Sequence, residues 1–164
     1  MDATISALFP VTLLDSLAAM PLGPLALPAL IATVTASLVA MSVPGAVNTM
    51  SFLSGLVLGL AGVLVVVVGC AVGCHLLFLV TRRWLAERMR RRLGSRLDGV
   101  QEHLSRRGPL YVVAARLGGV PHLIVTAGCA ATPITGRAFL GASMLGMLPA
   151  IVLSALAGSG IAAI

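Results

Sequence analysis

The feature that constrains this sequence most is an uncharged run of 20 residues, from Gly62 to Thr81. As an α-helix the run would be about 30 Å long, which matches the hydrocarbon core of one bilayer. Arg82 and Arg83 follow it directly. The sequence therefore predicts a transmembrane helix over residues 62–81.

The composition places the rest of the chain in the same class. Of its 164 residues 59% are hydrophobic and only 10% are charged, which is too apolar for a soluble domain of this size. All 11 basic residues are arginine, and nine of them lie between Arg82 and Arg107. Because apolar segments flank this block and aromatic residues make up 4% of the chain, we expect it to contact anionic lipid and not nucleic acid.

Two apolar stretches precede the long run. Residues 24–42 carry no charge and are long enough to form a transmembrane helix. Residues 44–60 are also apolar but are too short to cross twice, so we interpret them as a re-entrant hairpin that Pro44 and Gly45 open. We expect residues 1–23 to form a short interfacial segment. They lack the basic start of a signal peptide.

The arginine-rich segment has a helical pattern of its own. Over residues 84–107 apolar side chains recur every three or four positions, which predicts an amphipathic helix on the membrane surface. The positive-inside rule places this segment in the cytoplasm. The span over 62–81 would then run inward, and the N-terminus would also be cytoplasmic.

The second half repeats this plan from the other face. Residues 109–136 are apolar but contain several helix breakers, and we interpret them as a second re-entrant hairpin, with a final transmembrane helix over 138–160. The predicted fold is one all-α integral membrane domain. It is an inverted repeat of two re-entrant hairpins, each followed by a transmembrane helix, plus the N-terminal span and the amphipathic helix. Val43-Pro44 recurs as Val120-Pro121.

Scattered residues over roughly 40–160 make the chain resemble the DedA superfamily, also called the VTT or SNARE-associated family. The resembling positions are Val43-Pro44-Gly45, Leu53-Ser54-Gly55, Leu58-Gly59, Gly69, Gly73, Phe78 and Arg82, then Arg107-Gly108, Arg116-Leu117, Pro121, Ala127-Gly128, Phe139, Gly146 and Pro149. The resemblance implies two opposed re-entrant hairpins and movement of lipids across a bilayer. Undecaprenyl-phosphate recycling in bacteria and phospholipid scrambling in eukaryotes are the family's examples, and the resemblance implies a bacterial plasma membrane here.

The sequence departs from that family in four places. No carboxylate lies between Asp15 and Glu87, where the first hairpin of relatives often has one. The second hairpin's arginine is usually followed three residues later by proline, but that position is Gly119. The stretch 116–128 is shorter than usual, and the chain stops at Ile164 where relatives commonly add a helix. These departures argue against a strictly proton-coupled mechanism.

Arg116 is the sharpest candidate for function, because an arginine inside an apolar membrane segment is functional by default. Its guanidinium suits a lipid phosphate, and the alternative is a side chain that snorkels to the interface. His122 either hydrogen-bonds a phosphate, carries a proton, or is satisfied by a backbone carbonyl. Thr126 completes the candidates of the second hairpin.

The first hairpin offers uncharged donors. We expect Asn48, Thr49 and Ser51 to lie opposite Arg116, unless their role is to cap the broken helix. The residues predicted to break the two hairpins are Pro44, Gly45, Pro121 and Gly128.

Two other patterns have simpler explanations than a site. Cys70, Cys74 and His75 resemble metal ligands, but His75 lies about 100° around the helix from the cysteines, so we expect packing and no metal. Gly69 and Gly73 favour ordinary helix contact over dimerisation.

These patterns together predict a transporter that moves a phosphate-bearing lipid, with no cofactor and no enzymatic chemistry. One alternative is a membrane scaffold that transports nothing. The other is a proton-coupled carrier of small solutes. We also expect a homo-oligomer, because so few spans leave the hairpins exposed.

Overall fold

A computed structural model describes residues 23–93, 108–130 and 132–162 of the chain. In these residues all regular structure is α-helical and there is no strand, which confirms the predicted all-α class for this part of the chain. The helices, numbered in chain order, are α1 (Gly23–Ala40), α2 (Ala46–Leu58), α3 (Ala61–Leu93), α4 (108–117), α5 (His122–Ala130) and α6 (Gly136–Ala162).

Two helical stretches are long and apolar enough to cross a membrane. They are Ala61–Trp84, with 24 residues, and Gly136–Ala162, with 27. The apolar part of α1, Leu25–Ala40, is shorter. With 13 residues, α2 is about 20 Å long, which is less than a hydrocarbon core.

Some helix boundaries differ from those expected. α3 continues without a break through Arg82 and Arg83 to Leu93, where we expected a span ending at Thr81 and a separate helix over 84–107. Arginine, leucine and alanine all favour helix, so the backbone hydrogen bonds of the helix continue where the charged residues begin. Residues 94–107 and nearly all of the predicted segment 1–23 lie outside the described residues.

The first broken segment also differs from the expected hairpin. Residues 46–58 form one uninterrupted helix, and its backbone turns at Gly45 and Gly59, at the two ends of the segment. The second segment does contain an internal turn, between α4 and α5. Gly128 lies inside α5 and breaks nothing.

α3 has two apolar faces with different surroundings. One face is buried against the rest of the chain and carries Val66, Cys70, Cys74 and Phe78, each at most 1% exposed. The opposite face is 47–70% exposed and carries Leu64, Val68, Val72 and Leu76. Because water would penalise such a stripe of bare aliphatic side chains, this face suits contact with lipid.

Glycine allows the helix backbones to touch. A Cβ on Gly55 would collide with the backbone of Ala155, and one on Gly158 with the backbone of Phe52, so α2 and α6 cross in direct contact. Gly69 and Gly73 are used in the same way against α1: a Cβ on Gly69 would lie 2.6 Å from the Ala32 carbonyl oxygen. This pair of glycines therefore packs within the chain, as the sequence favoured.

α3 and α6 are antiparallel. The start of α3 and the end of α6 meet at one place on α2, because Gly62 abuts Ser54 and Ala155 abuts Gly55. At their other ends Phe78 stacks on Phe139, with ring centroids 4.6 Å apart. Because the helices are antiparallel, Cys74, four residues before Phe78 on α3, is level with Ser143, four residues after Phe139 on α6.

The repeated Val-Pro pair marks the same local structure in both halves. After α1, the amide of Val43 donates to the Leu38 carbonyl (3.0 Å), and after α4 the amide of Val120 donates to the Ala115 carbonyl (3.0 Å). Each bond closes a Schellman motif around a residue with positive φ, Ser42 (60°) or Gly119 (72°). Each motif is followed by a proline, a short helix and then a long apolar helix.

We predict that a methyl group added to a glycine at the α2–α6 contact destabilises the protein. Gly158→Ala should lower the thermal midpoint in detergent by roughly 3–10 °C, because overpacking a close contact costs about 1–3 kcal/mol. Gly160→Ala is the matched control, since nothing lies within 4 Å of a Cβ at that position. Equal midpoints for the two variants would contradict the close contact.

Candidate functional site

The turn between α4 and α5 brings Arg116 and His122 together. The Schellman motif at Gly119 ends α4, and Pro121 directly precedes the first residue of α5. Proline suits this place because the first amides of a helix have no partner in the helix. Arg116 near the end of one helix and His122 at the start of the next therefore face each other across a tight turn.

The Arg116 guanidinium is held by two side chains. Its Nη1 lies 2.7 Å from Nδ1 of His122, and its Nη2 donates to Oγ1 of Thr126 at 3.1 Å. The Thr126 hydroxyl in turn donates to the His122 carbonyl at 2.9 Å. Thr126 is fully buried and Arg116 is half-buried, so the guanidinium is bound by protein groups on at least two sides.

The contacts of His122 fix its tautomer. A guanidinium only donates hydrogen bonds, so Nδ1 of His122 must accept and the ring proton must be on Nε2. That nitrogen lies 3.7 Å from Sγ of Cys74 on α3. Each ring nitrogen of His122 therefore faces a side chain, and the ring is neutral. The sequence left open a backbone carbonyl as the partner of this ring, and the structure has Arg116 and Cys74 there.

Among the side chains that the structure describes, no carboxylate contacts Arg116. The sequence has no Asp or Glu between Asp15 and Glu87, and none after Glu102. Each hydrogen-bond partner of Arg116 in the described residues is a neutral group. A cation so placed attracts anions that fit its planar geometry.

The site lies well inside the apolar part of the bundle. Cys74, which touches His122, is eight residues before Arg82, or about 12 Å along α3. The backbone of α6 approaches on another side, because a Cβ on Gly146 would lie 2.6 Å from the Cβ of Arg116. Sequence reasoning did not find Cys74 or Gly146 as neighbours of the site, since only the folding of α3 and α6 against α4 brings them there.

The polar residues of the first half lie elsewhere. α2 meets α6 where Phe52 touches Gly158, whereas Arg116 touches Gly146, 12 residues or about 18 Å away along α6. Asn48 and Thr49 are exposed in the first turn of α2. The structure thus does not place them opposite Arg116 as we expected, because α2 docks near the far end of α6.

Capping does not explain these residues either. The residue that precedes α2 is Gly45, and no side-chain hydrogen bond caps the helix within the described residues. The buried hydroxyl of Ser51 donates to the carbonyl of Val47 one turn earlier, at 2.6 Å.

The cysteines are spread over the buried face of α3 and over α5. Cys70, Cys74 and Cys129 are buried free thiols. Among the described residues no three His, Cys, Asp or Glu side chains are grouped to hold a metal ion. His75 packs beside Gly136, and the Arg82 guanidinium donates to the Ile134 carbonyl at 2.8 Å, which ties the loop before α6 to α3.

Two arginine substitutions should have opposite consequences for stability. Arg116→Met removes a half-buried cation that has only neutral partners, so we expect a thermal midpoint in detergent no lower than that of the wild type. Arg82→Met removes the bond to Ile134 and the stacking of Arg82 on the Phe78 ring, and should lower the midpoint by about 2–4 °C. A larger loss for Arg116→Met than for Arg82→Met would show that Arg116 is structural.

A family model described as the VTT domain matches residues 27–160, most of the chain. Neither a curated protein nor a solved structure matches the chain significantly. The family match agrees with the two helices that are long enough to cross a membrane and with the bare aliphatic face of α3. The chain therefore belongs to the VTT-domain family, the DedA or SNARE-associated family, and is a membrane protein of that type.

Proposed function

We propose that this protein translocates or scrambles a phosphate-bearing lipid across the inner membrane of a bacterium. The observation that carries the proposal is the Arg116 guanidinium, which is half-buried among apolar helices and hydrogen-bonded only to neutral groups in the described residues. The lipid phosphate is the anion that completes it, and the acyl chains stay in the bilayer.

The chemistry of the two groups supports this pairing. A guanidinium presents donors in a planar fork that matches two phosphate oxygens, and such charge-assisted bonds are about twice as strong as neutral ones. A phosphate that crosses an apolar layer loses its hydration at a high cost in free energy. Arg116 and Thr126 replace part of that hydration, so the barrier falls without covalent chemistry and without a cofactor.

The helix lengths support a half-inserted architecture. α4 and α5 have ten and nine residues, or about 15 and 14 Å, and α2 reaches about 20 Å. None of these can cross a core of about 30 Å alone. We propose that α2 and the α4–α5 hairpin enter the membrane from opposite faces, as halves of an inverted repeat with the same Schellman-Val-Pro junction.

The charge distribution gives the orientation. The nine arginines over 82–107 are proposed to lie at the cytoplasmic face, where they attract anionic lipid toward the Arg116 site. Asn48 and Thr49 lie in the first turn of α2, and α2 meets α6 at Gly158, about 18 Å along α6 from Gly146. We propose that these two exposed residues contact the head group at the opposite end of its path.

The two alternatives receive less support. A scaffold that associates through Gly69 and Gly73 would need these glycines on a free surface, but both pack against α1. A proton-coupled carrier would need a titrating group, but protonation of His122 at Nδ1 would put two N–H donors and two positive charges face to face.

Purified protein in vesicles with a fluorescent phosphatidylglycerol tests the proposal. We expect Arg116→Ala to lower the transbilayer rate about 10- to 100-fold, the effect of losing hydrogen bonds to a charged group. Arg116→Lys should recover only part of the rate, because an ammonium lacks the fork geometry. Arg137→Ala is the control, since that arginine is exposed on the first turn of α6. Equal rates for Arg116→Ala and wild type would remove Arg116 from the mechanism.

The pH dependence separates lipid movement from proton coupling. Because His122 is held neutral and the phosphodiester keeps its charge, we expect the rate to vary less than about twofold between about pH 5 and pH 8. A phosphodiester lipid is used so that the substrate itself does not titrate. A rate that follows a titration near the ordinary range of histidine would favour the proton-coupled carrier.

A further inference from the structure

The serine at position 143 has an unusual hydroxyl. Ser143 is fully buried in α6, and its Oγ has no hydrogen-bond partner in the part of the chain that the structure describes. Several other helical hydroxyls here donate to the carbonyl one turn earlier, as Thr35 does to Ile31 and Ser51 to Val47. An unpartnered buried hydroxyl costs free energy, so it needs an explanation.

A second buried donor without a partner lies in the candidate site. Nε of Arg116 is buried and bonds to nothing in the described residues, although both Nη atoms are engaged. A guanidinium has five donors and no acceptor, so Nε can be satisfied only by an oxygen or another acceptor that approaches from its free edge.

The register of α6 brings these two groups to the same level. Arg116 starts beside Gly146, and its guanidinium ends at His122, whose ring touches Cys74. Cys74 is level with Ser143, because Phe78 stacks on Phe139 in the antiparallel pair α3 and α6. Ser143 and Gly146 also share a face of α6, since they are three residues apart. This register predicts that the Arg116 side chain extends from the level of Gly146 toward the level of Ser143.

We propose that the Ser143 hydroxyl lies beside the Arg116 guanidinium and donates a hydrogen bond to the phosphate of the bound lipid. One phosphate oxygen accepts from Nε of Arg116 and another from Oγ of Ser143, which satisfies both unpartnered donors. This proposal rests on the proposed function and adds a specificity residue to it. A neutral donor beside a single cation suits a singly or doubly charged phosphate, and it adds no positive charge to the membrane interior.

A binding experiment on the full chain in detergent tests the role of Ser143. The probe is a water-soluble short-chain phosphatidic acid titrated by calorimetry, with inorganic phosphate as a second probe to separate a lipid head group from the free anion. We expect Ser143→Ala to raise the Kd for phosphatidic acid about tenfold and Arg116→Ala to abolish binding. Ser143→Cys, which keeps the volume but weakens the donor, should give an intermediate Kd. Tighter binding of inorganic phosphate than of phosphatidic acid would overturn the assignment to a lipid.

A matched serine distinguishes a binding role from a structural one. Ser54 is also fully buried in a helix, but its hydroxyl donates to the Gly62 carbonyl at 3.1 Å. Ser54→Ala should lower the thermal midpoint and leave the Kd unchanged, whereas Ser143→Ala should raise the Kd and leave the midpoint unchanged. A wild-type Kd for Ser143→Ala, with binding still lost in Arg116→Ala, would refute the role of Ser143 alone. If Ser143→Ala and Arg116→Ala both bind phosphatidic acid as tightly as the wild type, or if the wild type does not bind it, the proposed function and this inference are both refuted.

Discussion

Direct contact between helix backbones at glycine is the interaction on which this bundle depends. In a membrane the lipid chains are as apolar as leucine, so burial of aliphatic side chains does little to hold helices together, and close packing must do so. Gly55 and Gly158 let α2 cross α6, and Gly69 and Gly73 let α1 lie on α3. Gly146 has the same role at the candidate site, where its missing side chain lets the backbone of α6 lie against Arg116.

In the candidate site, neutral side chains hold the Arg116 guanidinium in place, and the ligand that we propose for it is an anion. α3 supplies Cys74 behind His122, and His122 and Thr126 orient the guanidinium from α5. All of these partners are neutral, so they position the charge of Arg116 without cancelling it. An acidic partner would have stabilised the resting protein and competed with a phosphate. The absence of Asp and Glu from 16–86 and 103–164 thus agrees with a site for an anionic ligand.

The sequence predicted parts of this arrangement correctly and others incompletely. The uncharged run gave the position of the long span, and Arg116, His122 and Thr126 were singled out as residues that the α4–α5 turn then brings into contact. The grouping of Asn48, Thr49 and Ser51 with Arg116 was based on analogy between the halves. The structure does not place them opposite Arg116, because α2 packs at Gly158, about 18 Å along α6 from the Arg116 contact at Gly146. No local pattern encodes where one helix docks along another.

The sequence alone determined the environment of this protein and the type of its elements, because hydrophobicity, helix breakers and charge are local properties that each residue carries with it. It also determined that one cation would be left among apolar residues without an acid nearby. Only the tertiary structure decided which apolar face of α3 is buried and which is exposed, since neither face carries a charge. It likewise decided that Cys74 contacts His122 and that the backbone of α6 at Gly146 lies against the Cβ of Arg116. Contacts between residues far apart in the chain depend on the packing of whole helices, and that packing is set by all the close contacts together.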